Sequence, residues 1–189
     1  MKQELEVKIQ ITTEQLNLLH KWLDKNAKFI EQINHKEYYL NNPNDSFFFI
    51  NADGKKDALR FFRIRLTDQG DSACYKNWHV DKKTGHSTHC DEIEIKLIGG
   101  MQMLKLMEAV GFTEQRVKEK NRKKYIFNNF EIVIDDIKNL GIFVEIELIE
   151  QIKNINLDIQ KIYDLLRTIG IFVFNKQIAG CGKMERIEL

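Results

Sequence analysis

Five separated stretches of this 189-residue chain repeat one pattern, a charged residue at every second position: Glu4/Glu6/Lys8, Arg63/Arg65, Glu92/Glu94/Lys96, Lys120/Arg122 and Glu145/Glu147. The residues between them are mostly apolar: Leu5, Val7, Ile64, Ile93, Ile95 and Ile146. A period of two is the period of a β-strand, so each stretch predicts a strand with one charged and one apolar face. Taken singly, each is what a sheet with one wet face produces. Taken together they are sorted by sign, with paired acids on some strands and paired bases on others. Residues i and i+2 of a strand lie roughly 6.5–7 Å apart on one face. Carboxylates at that spacing repel unless a cation lies between them, and oxygen donors of this kind suit Mg²⁺ or Mn²⁺. Arginine and lysine supply the complementary half, because phosphate oxygens accept bidentate arginine hydrogen bonds and take lysine as a point charge. Acids for a metal and bases for phosphates are the inventory of a polyphosphate site.

The overall charge hides this sorting. Twenty-nine Lys and Arg face 28 Asp and Glu, a net charge of +1, which argues against broad nucleic-acid or membrane binding. A length of 189 residues suits one domain, 1–189, and the single proline marks no linker. Met1-Lys2-Gln3-Glu4 has no apolar signal region, and no run approaches the roughly 18 apolar residues of a membrane span. Three cysteines, Cys74, Cys90 and Cys181, lack a close metal-ligand spacing, which suits a reduced, cytoplasmic setting.

Residues 4–11 predict one strand, with Glu4, Glu6, Lys8 and Gln10 on one face. Thr12-Thr13-Glu14-Gln15 reads as a capping box, opening a helix to about residue 26 with Leu16, Leu19 and Leu23 at helical spacing. Residues 36–50 read as strand, turn, strand; 58–66 and 73–80 as strands; 81–90 as a polar loop. After a strand at 92–98, a helix at 101–110 ends at Gly111. Strands are expected near 113–127, 130–136 and 142–149, then a helix over 156–169 ended by Gly170, and one or two short extended pieces in the tail. Glu4-x-Glu6-x-Lys8 recurs as Glu92-x-Glu94-x-Lys96, each before a helix and several strands, which suggests two halves on one plan. His86-x-x-His89-Cys90 offers too few ligands in too polar a loop for a zinc site. Trp22, Tyr39 and the Phe47–Phe49 run read as packing, and the basic run Lys118–Lys124 as a partly inward strand.

Glu4-x-Glu6-x-Lys8 resembles the Glu-x-Glu-x-Lys signature of the CYTH superfamily, the triphosphate tunnel metalloenzymes. The order continues through Arg63-Ile64-Arg65, Tyr75-Lys76, Glu92-Ile93-Glu94, Lys120-Asn121-Arg122, Val133-Ile134-Asp135-Asp136-Ile137 and Leu140-Gly141-Ile142-Phe143-Val144-Glu145-Ile146-Glu147. The last stretch is similar to the family's Asp-x-Val-x-x-Leu-Gly-x-Phe-x-Glu-Ile-Glu. Two departures stand out: Cys90 where the family often has arginine two positions before Glu92, and a tail without the Ser-Tyr-x-x-Leu-Leu-like segment.

The resemblance implies an α+β fold, a closed eight-stranded antiparallel β-barrel open as a tunnel, with flanking helices. It implies that Glu4, Glu6, Asp135, Glu145 and Glu147 hold Mg²⁺ or Mn²⁺. Lys8, Arg63, Arg65, Lys76, Lys120 and Arg122 would bind the triphosphate, and Glu92 and Glu94 would line the tunnel. Glu4, Glu6, Lys8 and Glu147 would be catalytic. The branch it is most similar to is the class IV (CyaB-like) adenylyl cyclases, phosphorus–oxygen lyases that convert ATP to cyclic AMP and pyrophosphate. Two readings stay open beside it: a hydrolase of inorganic, thiamine or nucleoside triphosphate, and a noncatalytic polyphosphate or nucleotide binder. The expected partner is a triphosphate small molecule rather than nucleic acid or membrane, and the oligomeric state stays open, a homodimer among the options.

Overall fold

A computed structural model describes residues 2–50, 54, 56–80, 87–178 and 183–188, and side chains within 5–50, 54, 58–80, 89–176 and 187–188. The described chain folds into thirteen strands and three helices. Eleven strands form the main hydrogen-bonded order, which has two ends, and two more form a separate hairpin. The expected closed ring of eight is therefore corrected to a larger, open strand order in an antiparallel, β-rich fold. One reason is local. The single strand expected over 4–11 breaks at Leu5 into β1 (Lys2–Glu4) and β2 (Glu6–Gln10), which have different neighbours. A second is the tail, which supplies two strands, β12 (Val173–Ile178) and β13 (Lys183–Glu188), paired with each other.

The chain divides into two compact units, the first drawn from residues within 2–3 and 33–120, the second from 4–32, 121–178 and 183–188. In the first, the strand order is β1, β8 (Ser87–Leu97), β7 (Asp71–Val80), β6 (Arg60–Leu66), β3 (Lys28–Asn41). Strand β3 begins eight residues earlier than the sequence suggested, and its early part belongs to the second unit. Strands β4 (Phe48–Ile50) and β5 (Lys56–Ala58) form the hairpin. One face of β6 and β3 carries Ile64, Phe62, Tyr38 and Leu40, packed under Leu104, Met103 and Met107 of helix α2 (Gly100–Ala109). The helix starts so close to the sheet that a Cβ on Gly100 would lie 2.5 Å from a methyl of Leu66, while its amide donates to Asp71 Oδ2 at 2.7 Å.

In the second unit the order is β9 (Thr113–Phe127), whose early part up to Lys120 belongs to the first unit, then β10 (Phe130–Ile137), β11 (Gly141–Leu148), β2, β12, β13. Its apolar face, Val7, Ile9, Ile132, Ile134, Val144 and Ile146, is covered by Leu19 and Leu23 of α1 (Thr13–Asn26) and by Ile162, Leu165, Leu166 and Ile169 of α3 (Ile155–Ile169). The capping box forms as expected: Thr12 and Gln15 satisfy each other's backbone amides at 3.3 and 3.0 Å. Trp22 packs edge-on against Phe127, and Gly170 ends α3 in the left-handed conformation (φ 95°). No helix among the described residues is long and apolar enough to cross a membrane.

Candidate functional site

With the apolar face of each sheet closed by a helix, alternation places the charged residues on the opposite face. In the first unit the register sets Tyr39 across from Arg63 and Glu37 across from Arg65. It then sets Arg63 across from Cys74, Cys74 across from Glu94, and Lys76 across from Glu92. The hub is Glu37, wholly inaccessible to solvent. Arg65 Nε donates to its Oε1 at 3.0 Å, and Arg63 and Lys120 each bring a cationic nitrogen to the same oxygen at 3.3 Å. Tyr39 donates to Oε2 at 3.0 Å. Burial alone would push the Glu37 carboxyl upward, but Arg63, Lys120, His35 and Arg65 hold it well below the ordinary range. Desolvation would lower the Arg63 pKa, but Glu37, together with Tyr39, Cys74 and Glu94, holds the guanidinium well above its ordinary value.

Outside this hub, Lys76 pairs with Glu92 at 2.6 Å and Cys74 donates to Glu92 Oε1 at 3.4 Å. Burial pushes the Cys74 thiol up to about 12, so it stays protonated as a donor. Glu94 accepts from Ser72 at 2.8 Å and meets Arg65 at 3.5 Å; burial raises its carboxyl, and Arg65 and Ser72 bring it below its usual range.

In the second unit, three cross-strand rows lie on one face. Glu131, Glu147 and Glu6 form one; Val133, Glu145 and Lys8 the next; Asp135, Phe143 and Gln10 the third. Asp135 is fully buried and takes both ends of Arg122, Nε to Oδ1 at 2.7 Å and a terminal nitrogen to Oδ2 at 2.6 Å. That nitrogen also donates to Glu145 at 2.8 Å, and Glu145 pairs in turn with Lys8. The Lys8 ammonium lies 5.6 Å from the centre of the Phe143 ring. Desolvation would lower the Lys8 pKa, but Glu145 and Asp135 raise it above its usual value. Lys124 meets Glu131 at 3.1 Å at the end of the first row.

Residues 2–178 match the family model described as the CYTH domain. The chain belongs to the CYTH family. A Methanocaldococcus jannaschii protein named "putative adenylate cyclase" is 27% identical over 169 residues, 88% of this chain and 90% of its own length. Among solved structures, a Pyrococcus horikoshii protein superposes with a TM-score of 0.69 at 24% identity, over 96% of this CYTH chain and 93% of its own. A Hippeastrum "putative adenylyl cyclase", described as having a dominant triphosphatase activity, superposes with a TM-score of 0.61 at 15% identity, covering 97% and 93%. At these identities the structural likeness shows the shared fold.

The CYTH chain thus gathers Arg63, Arg65, Lys76, Lys120, Glu92 and Glu94 on one face of the first unit, and Glu6, Lys8, Arg122, Asp135, Glu145 and Glu147 on one face of the second. The side chain of Glu4, and Cys181 and His86, lie outside what the structure describes. Sequence reasoning missed Glu37 and Glu131. Glu37 had a signal: His35-x-Glu37-x-Tyr39 alternates polar groups on the strand that pairs with Arg63-x-Arg65. Glu131 had none until the register set it beside Glu147. Two donor groups, Cys74/Glu92/Glu94 and His79/His89/Asp91, each bring ligand atoms within 4.8 Å of one another. Of the motif His86-x-x-His89-Cys90, His86 lies outside the described residues, and the fully buried Cys90 and His89 are consecutive strand residues that face opposite ways.

Proposed function

We propose that the protein is a metal-dependent enzyme acting on a triphosphate, with residues 1–189 as one triphosphate tunnel domain in the cytoplasm. The observation that carries this reading is the acid row Glu131–Glu147–Glu6, beside a row that ends in the Glu145–Lys8 pair. Side chains directly opposite on paired strands sit roughly 4.5–5.5 Å apart at Cβ, and like charges there destabilise the sheet. Lys124 offsets the Glu131 end of the row. Glu147 and Glu6 offer hard oxygen donors that suit Mg²⁺ or Mn²⁺, and Glu4, whose side chain lies outside what the structure describes, joins them in this reading on its place in the Glu-x-Glu-x-Lys motif alone. A divalent ion held there supplies Lewis acidity toward a phosphoryl oxygen and toward the attacking hydroxyl.

The remaining groups bind and orient. Asp135 holds the guanidinium plane of Arg122 at both ends, and Glu145 fixes a third contact, so Arg122 is presented in one orientation. This makes Asp135 and Glu145 positioning residues for Arg122 and Lys8 as much as metal ligands. Glu37 does the same for Arg63, Arg65 and Lys120, three cations that would otherwise repel one another. Each of the two sets of bases offers cationic donors suited to phosphate oxygens, and in the first unit Lys76 adds a point charge poised by Glu92.

The adenylyl cyclase reading is favoured by the name of the Methanocaldococcus relative. In that reaction the ribose 3′-hydroxyl gives up its proton to solvent as its oxygen forms a bond to the α-phosphorus, the bond from that phosphorus to the α–β bridging oxygen breaks, and pyrophosphate leaves with the electron pair. The triphosphatase reading is favoured by the dominant activity described for the Hippeastrum protein. In such a hydrolysis water bonds to the terminal phosphorus and gives up a proton to solvent, the bond from that phosphorus to the β–γ bridging oxygen breaks, and the diphosphate portion leaves with the electron pair as orthophosphate is released. Incubation with ATP and Mn²⁺ or Mg²⁺ separates them. Cyclic AMP with pyrophosphate supports the cyclase, and orthophosphate from ATP, tripolyphosphate or thiamine triphosphate the hydrolase. Tight triphosphate binding without turnover in either metal would leave a noncatalytic binder.

A further inference from the structure

We propose that His79, His89 and Asp91 form a binding site for a divalent transition-metal ion of the Zn²⁺ class, on the sheet face opposite the Glu37 hub. His79 and His89 are direct cross-strand partners in β7 and β8, and Asp91 lies two residues beyond His89 on the same face. The polar residues Cys74, Lys76, Glu92 and Glu94 alternate with them and occupy the other face. All three donors lie within 4.8 Å of one another; His79 Nε2 and Asp91 Oδ2 are 2.7 Å apart, and the two imidazoles stack at 4.4 Å with 8° between their planes. The register shifts immediately after His79, at the His79/Val80 step, and irregularities of this kind re-aim side chains at strand ends.

The donor set decides the class of ion. Two imidazoles and one carboxylate suit Zn²⁺, Ni²⁺ or Cu²⁺, whereas the all-carboxylate row of the second unit suits Mg²⁺ or Mn²⁺. Three protein donors are the number that leaves a further position on zinc for water or another ligand. An ordinary explanation, a surface His–Asp pair, accounts for one contact but contributes little to stability, and it does not require a second imidazole on the same point. Zinc bonds of about 2.0–2.2 Å set tetrahedral donors about 3.3 Å apart, so the His79–Asp91 contact opens by about half an ångström on binding. The rings must also rotate out of their stack, because imidazole lone pairs lie in the ring plane. His79, with 42% of its side chain exposed, has the room to do so.

The test is calorimetric titration of the full chain with Zn²⁺ in saturating Mg²⁺, which occupies oxygen-donor sites. One Zn²⁺ per chain is expected. His79→Ala and His89→Ala should each weaken it by more than the about 10–100-fold that loss of a group merely supporting a ligand costs. Cys74→Ser, on the opposite face, should leave the affinity unchanged. In the wild-type chain, the imidazole nitrogen resonances of both His79 and His89 should shift on titration, a readout independent of how the variants fold. Equal Zn²⁺ affinity in the histidine variants, loss of binding in Cys74→Ser, or unmoved histidine resonances would each overturn the assignment.

Discussion

Glu37 is the residue on which the first unit's charged face depends. It has no access to water and three cations within 3.3 Å of one oxygen. Removing one partner of a buried ionic cluster strands the others, at a cost of about 3–5 kcal/mol. Glu37→Gln should therefore lose stability of that order in urea unfolding. The pH dependence follows from the sign of its shift. A carboxyl held below its ordinary 4.5 lends stability that is complete above that value and disappears as pH falls through its folded-state pKa. The gap between wild type and Glu37→Gln should be flat above pH 4.5 and narrow below it; a gap that widens in acid would contradict the assignment. Arg65→Ala removes a hub cation while Arg63 and Lys120 still face Glu37, so it should raise KM for a triphosphate substrate far more than it perturbs folding. Unchanged KM and kcat would take Arg65 out of the site. The basic residues of the hub were legible because Arg63-x-Arg65 and Lys120-x-Arg122 alternate in sign-pure pairs. Glu37 was missed despite the alternation His35-x-Glu37-x-Tyr39, since that pattern also suits a solvated strand face until its pairing with β6 is known.

At the level of elements, helix ends were read almost to the residue, because capping is a local code. Thr12 and Gln15 cap α1 through contacts three residues apart, and Gly170 ends α3. Strand ends were not, because they are set by partners distant in sequence. The strand expected over 4–11 breaks at Leu5, whose carbonyl accepts from Leu148, and nothing in Glu4-Leu5-Glu6 announces it. The tail strands were foreseen only as extended pieces, since their hydrogen bonds come from each other and from β2. The start of α3 gives a prediction of its own. Asn154 accepts from the Leu157 amide at 3.2 Å, and Asp158 accepts from the amides of Lys153 and Asn154 at 2.9 and 3.1 Å. Asn154→Ala should cost about 1 kcal/mol by chemical denaturation. A neighbouring truncation, Leu166→Ala, which empties part of the core under α3, should cost about 2–5 kcal/mol. Equal losses for the two would mean that α3 is held by its cap rather than by its buried face. Asp158, brought to about 2 by Lys161 and the two backbone amides, keeps that cap charged until far below its ordinary 3.8.

At the level of the whole molecule, the two halves suggested by the recurrence of Glu-x-Glu-x-Lys do not coincide with the two compact units: one unit runs over 33–120 and holds the second copy, while the other joins 4–32, with the first copy, to 121–178. Each has a sheet with one face charged and the other covered by helix, and this shared plan was readable from the alternation alone. The sequence could not say which acid neutralises which base, and that pairing decides how the charges respond to ligands. In the second unit Glu145 and Asp135 pair with Lys8 and Arg122, and Glu147 lies in cross-strand register with Glu131 on one side and Glu6 on the other. Glu147→Ala should therefore leave the ligand-free melting temperature close to wild type, because it relieves like-charge repulsion, yet remove turnover and the response to Mn²⁺. For the wild type, Mn²⁺ and tripolyphosphate, each at about 100 times its dissociation constant, should each add about 2.7 kcal/mol. A chain of this size converts each increment into a rise of about 5–10 °C. In Glu147→Ala the increment due to Mn²⁺ should vanish while part of that due to tripolyphosphate persists, since the Glu37 hub is untouched. Thermal unfolding with each ligand alone and with both resolves the two increments. A Glu147→Ala protein that melts far below wild type without ligand would make Glu147 a structural residue. One that keeps its full Mn²⁺ increment would move the metal away from the row Glu131–Glu147–Glu6.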